Sequence, residues 1–97
     1  MVTEKQVMRQ LQNVIDPEIG VPITEMKLID GIKIKNGDVI VEFHLSMPFC
    51  PPFFAMQIAK GIRDEVAKLK GVKSVRIKLS KHYMAEEINK KINEGKF

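Results

Sequence analysis

The chain has one cysteine and no tryptophan. A single thiol excludes an intramolecular disulfide framework and any Cys₄ or Cys₂His₂ metal site built within one copy. Long apolar runs are missing too, and a membrane-spanning helix needs about 20 such residues in a row. Met1 to Asn13 alternates polar and apolar residues, so no signal peptide is expected. These absences predict a cytoplasmic protein with no membrane partner and a reduced thiol. At 97 residues, 44% hydrophobic and 29% charged, the chain has room for one core and the composition of a globular domain. Residues 1–97 are therefore expected to form a single domain.

The net charge of +4 is unevenly placed. Residues 1–59 carry five Lys/Arg and seven Asp/Glu, and residues 60–97 carry eleven and five. The basic C-terminal half is either a solvated lysine-rich surface or a face for an anionic partner.

The pattern along the chain predicts six elements. Thr3-Glu4-Lys5-Gln6 fits a capping box, and Val7, Leu11 and Val14, joined by Met8 and Ile15, make an apolar helical stripe. A helix over Glu4 to Asn13 is expected, ended by Asp16-Pro17. Residues 16–25, DPEIGVPITE, form a loop whose Ile19, Val21 and Ile23 should pack onto the core. Asn36-Gly37 is a type I′ turn, which pairs Ile34 with Val39 and Ile32 with Val41. Ala55, Ile58, Ala59, Ile62, Val66 and Leu69 space a second helix, in which Gly61 suggests a close contact. Val75, Ile77 and Leu79 alternate as a third strand, and Met84, Ile88 and Ile92 mark a last helix.

The order α-β-β-α-β-α predicts an α+β fold. It is a two-layer sandwich with a three-stranded mixed sheet and helices on one face. The helical connection makes the second and third strands parallel. The open face should carry Lys33, Lys35, Glu42, His44, Arg76 and Lys78.

Four residues are candidates for chemistry. Cys50 lies between a strand and the first turn of a helix, where the dipole favours a thiolate that binds soft metals or attacks electrophiles. The competing reading is a small buried hydrophobe. Asp16 and Glu18 flank a proline and either point into one site or simply start a turn. Ser46 either hydrogen-bonds the thiolate or caps the loop. His44 should face away from the core, with no route to Cys50, so a Cys–His dyad is not expected. Met47, Phe49, Phe53, Phe54 and Met56 surround the cysteine in sequence, as core packing or as a docking surface.

The stretch VIDPEIGVPITEMKLIDGIKIKNGDVIVEFHLSMPFCPP, from Val14 to Pro52, resembles the core pattern of the SufT/PaaD-like family of iron–sulfur cluster assembly factors. The resemblance covers residues 4 to about 80. Asp16, Pro17 and Glu18 match the family's acidic motif, and Pro48, Cys50 and Pro51 match its proline-cysteine turn. Ser46 keeps the hydroxyl of a usual threonine, whereas Met47 replaces a second one. The family's tryptophan after the last strand is replaced by Lys81-His82-Tyr83, and the cysteine-rich extension of the phenylacetate-pathway members is absent.

The resemblance implies an assembly factor, not an enzyme, that handles an iron–sulfur cluster transiently. Its partners would be apo iron–sulfur client proteins and an assembly scaffold or carrier ATPase, with a homodimer as one possible state. A cluster normally takes four protein ligands, mostly thiolates, and one chain offers one. Transient carriage or an adaptor role therefore suits the donor count better than storage. Cys50 would be the metal ligand or thiol contact, with Ser46, Asp16 and Glu18 shaping its pocket. The alternatives are an accessory subunit of a ring-hydroxylating oxygenase, a thiol enzyme acting through Cys50, and a basic nucleic-acid module on the open sheet face. The last is disfavoured because readers of single strands place aromatics on such faces.

Overall fold

A computed structural model describes residues 2–17, 19–45 and 51–94. Six elements follow one another: α1 (Glu4–Leu11), β1 (Ile29–Lys35), β2 (Asp38–His44), α2 (Pro52–Ala67), β3 (Ser74–Ser80) and α3 (Ala85–Glu94). The sheet order is β1-β2-β3, with β1 antiparallel and β2 parallel to its successor. This is the expected mixed α+β sandwich.

The capping box opens α1. The Gln6 N–H donates to the Thr3 hydroxyl, and the Gln6 side chain accepts the Thr3 N–H. The helix ends at Leu11, two residues before the expected Asn13. There the N–H groups of Asn13 and Val14 reach back only three residues, to Gln10 and Leu11, which tightens the last turn out of α-helical spacing. The expected stripe is also narrower. Val7, Leu11 and Val14 are buried, whereas Met8 and Ile15 are exposed.

The Asn36-Gly37 turn has φ of 53° and 88°, the left-handed pair that type I′ requires. It sets Ile34 opposite Val39 and Ile32 opposite Val41, as expected. A Cβ on Gly37 would lie 2.9 Å from the Gly71 carbonyl, so glycine there serves packing as well as torsion. Alternation then sends Val39, Val41, Phe43 and Leu45 inward, with Ile77 and Leu79 beside them. Ala55, Ile58, Ala59, Ile62 and Val66 of α2 and Ile88 and Ile92 of α3 close the core.

The other face of the sheet is uncovered. Lys33, Lys35, Arg76 and Lys78 are exposed on it. Lys33 Nζ lies 3.3 Å from Glu42 Oε1, and His44 Nδ1 lies 2.8 Å from Asp30 Oδ1. The only aromatic in the three strands, Phe43, is fully buried on the opposite face.

Candidate functional site

Parallel pairing puts the C-terminal ends of β2 and β3 side by side, with His44 opposite Ser80. α2 must return the chain to Ser74, which pairs with Asp38 at the far end. Its N-terminus therefore starts at the His44 end. Three parts of the chain come to this end: the N-terminus of α2, the loop after α1, and the turn after β3.

The loop after α1 is led to this end by two contacts with α2. Gln10 Nε2 donates to Glu65 Oε1 at 3.0 Å. Four residues on, a Cβ at Gly61 would sit 3.2 Å from Val14 Cγ1. The chain thus runs antiparallel to α2, toward its N-terminus, and Gly61 makes the close approach anticipated from its place in a helix. The His44 N–H then donates to the Leu28 carbonyl at 2.9 Å, which ties the far end of the loop to the end of β2.

Asp16 organises this loop. Its N–H donates to the Val21 carbonyl at 2.9 Å, and its carbonyl accepts the Gly20 N–H at 2.8 Å. Its carboxylate Oδ1 accepts the Ile19 N–H at 3.3 Å, and the residue is 7% exposed. Gly20 has φ of 77°, a conformation that side chains resist. A bridge between Ile15 and Pro22 closes the neck. Asp16 therefore builds this turn.

The expectation that Ile19, Val21 and Ile23 all pack inward is corrected. Ile23 is fully buried and Val21 half-buried, but Ile19 is 57% exposed. The narrow neck and the Asp16–Ile19 bond turn the tip of the loop away from the core. Phe53, in the first turn of α2, is 72% exposed and meets Phe54 edge to face at 5.6 Å. Phe54 and Met56 are half-buried. Tyr83, just past β3, is 60% exposed and stacks on His82 at 4.8 Å. Among the described residues, Ile15, Ile19, Phe53 and Tyr83 are four of the five exposed large apolar side chains, and the topology brings the segments that carry them toward this end.

Cys50, Ser46 and Glu18 lie outside the described residues, as do Met47, Pro48 and Phe49. Of the four candidate site residues, only Asp16 is described. Pro51 is the N-cap of α2, which starts at Pro52. His44 takes Asp30 as its partner on the open face. His82 is 8% exposed, and its Nδ1 accepts the Met84 N–H at 3.0 Å ahead of α3. Among the described residues, no three His, Cys, Asp or Glu side chains gather closely enough to hold a metal ion. No helix among them is long and apolar enough to cross a membrane.

Sequence reasoning missed the exposure of Phe53 and Tyr83, which periodicity does not report. It also missed Asn89 and Asn93, whose signal was their four-residue spacing next to the apolar Ile88 and Ile92.

The chain is similar to a Porphyromonas gingivalis protein named Fe-S protein maturation auxiliary factor. The two are 37% identical over 92 residues, covering 88% of this chain and 86% of that protein. It is 32% identical over 85 residues to the iron–sulfur cluster carrier protein of Mycobacterium leprae, covering 87% of this chain and 21% of that protein. A crystal structure of a domain of unknown function from Bacillus anthracis shares the fold, with a TM-score of 0.72 at 23% identity over 87% of this chain and 88% of that one. Residues 4–79, from the start of α1 to the end of β3, match the family described as iron–sulfur cluster assembly protein, and the chain belongs to that family.

Proposed function

We propose that this chain is a non-enzymatic factor in iron–sulfur cluster assembly, acting as a transient carrier or adaptor that brings Cys50 to apo-client proteins. The observation that carries the reading is the exposure of Ile15, Ile19, Phe53 and Tyr83 on segments at the end of the molecule where α2 begins, directly after Cys50 in sequence. Exposed apolar side chains at that end supply a surface for an apo-client or an assembly scaffold. A thiolate next to the start of α2 is favoured by the helix dipole. The cluster is cargo in this reading. One thiolate per chain leaves most of its positions to the client, to a second copy or to a small thiol, and open positions are what ligand exchange requires. Asp16 contributes by holding the loop that presents Ile19, and Ser46 and Glu18 are assigned to the surroundings of Cys50. The site of action is the cytoplasm, where the thiol stays reduced.

Anaerobic reconstitution with ferrous iron and sulfide tests the carrier role. Wild type, alone or with an apo-client, is expected to develop visible absorbance that Cys50→Ala lacks, and to lose it as the client gains it. Absence of Cys50-dependent absorbance, even with client present, would remove the carrier role. Client capture that persists in Cys50→Ala but fails when Phe53 is replaced would leave the adaptor role alone standing.

A further inference from the structure

Strand β3 lies at the edge of the sheet, with β2 on its inner side. An edge strand offers a row of N–H and C=O groups that another chain can pair with. On β3 those of Ile77 and Leu79 are already taken by side chains of α3. Asn89 Oδ1 accepts the Leu79 N–H at 2.7 Å, and its Nδ2 donates to the Leu79 carbonyl at 3.0 Å. Asn93 treats Ile77 in the same way, at 2.9 and 3.0 Å. A carboxamide carries one acceptor and two donors, so it reproduces what a peptide group offers across a ladder.

The spacing explains why two asparagines suffice. Residues four apart on a helix are separated by about 6 Å along its axis. Residues two apart on a strand are separated by about 6.6 Å. The two repeats stay in step over one such interval. α3 runs antiparallel to β3, so the later asparagine meets the earlier strand residue. Ile88 and Ile92, each preceding one of the asparagines, are 2% exposed and pin the helix in place.

We propose that Asn89 and Asn93 form a surrogate strand that closes the β3 edge against a second copy of this chain. An antiparallel pair of β3 strands centred on Ile77 sets Val75 opposite Leu79 and continues the apolar inner face from one copy into the next. It also sets Arg76 opposite Lys78, and like charges across a ladder repel. The amide clamp and this repulsion act together to keep the edge single.

The test is sedimentation velocity of Asn89→Ala/Asn93→Ala against wild type, at low salt and at about 0.5 M NaCl, where the Debye length is only about 4 Å. The double variant is expected to sediment as a dimer or larger at high salt, at concentrations where wild type does not, and to shift back as salt falls. A folded double variant that matches wild type at both salt concentrations overturns the proposal. Asn93→Ala, which keeps half of the clamp, covers the case in which the double variant does not fold. Amide exchange at low protein concentration should then show Ile77 losing about tenfold or more of its protection while Leu79 keeps most of its own. Unchanged protection of Ile77 in that variant counts against the clamp.

Discussion

Asp16 shows how one side chain can make a loop necessary to a fold. Its carboxylate, N–H and carbonyl each hold a different residue of the same turn. Asp16→Ala removes the acceptor of the Ile19 N–H and should cost about 1–2 kcal/mol in urea unfolding. Asp16→Asn retains an acceptor oxygen and should recover most of that loss. Equal destabilisation by both substitutions would mean that the negative charge, not the bond, is what matters. Glu65 is the second informative residue. Hydrogen bonding from the Lys68 ammonium, aided by Asn13 and Gln10, holds its carboxyl below the ordinary value of 4.5. A carboxyl lowered on folding contributes stability that is present above its unfolded value and lost as pH falls through its folded one. Glu65→Gln should therefore be less stable than wild type near pH 7, with the gap closing as pH falls below the ordinary 4.5 and through the lowered folded value. Lys68 is 63% exposed, so added salt should narrow the gap at neutral pH as well. Thermal melts across pH and salt read both effects.

At the scale of elements, the contact of the post-α1 segment with α2 decides where the apolar loop goes. Gly61 admits Val14 at a distance where an added Cβ would meet its methyl at 3.2 Å. Gly61→Ala gains about 1 kcal/mol of helix propensity and spends it on moving Val14 by a few tenths of an ångström, so a net change within about 1 kcal/mol is expected. Gly61→Leu cannot be absorbed this way and should cost about 1–3 kcal/mol by overpacking. Denaturant midpoints of the two variants check this, and a harmless leucine would mean that α2 and the loop are not closely packed. The same comparison shows what patterning can and cannot report. The Asn36-Gly37 turn, the β1–β2 register and the inward set of β2 were legible because turn torsions and a period of two are local properties. Met8 and Ile15 were assigned to the buried stripe because periodicity marks a face but not its width.

For the molecule as a whole, the core and the proposed docking surface use different residues. The core is built from the inner faces of β2 and β3 and the stripes of three helices, and Phe53 has no part in it. Phe53→Asp removes an exposed ring and places a negative charge in the first turn of α2, which the helix dipole favours. Its melting temperature should match or slightly exceed that of wild type, while affinity for an apo-client falls about tenfold or more. A variant that binds the client unchanged would move the docking surface away from this end. The family resemblance at Asp16–Glu18 and Pro48–Pro51 was readable from residue identity alone, and residues 4–79 match the corresponding family. The apolar end was not readable, because its members come from the loop after α1, from α2 and from the turn after β3, far apart along the chain.

The chain's own pattern determined the element order, the mixed sheet, the hairpin register and the acidic and cysteine motifs, because capping, turn torsions and residue spacing are local properties. Tertiary structure decided which apolar residues stay outside, that Asp16 bonds within its own loop, and that two asparagines of α3 serve as the missing neighbour of β3. Those outcomes depend on distances between segments many residues apart, and such distances exist only once the helices have docked on the sheet.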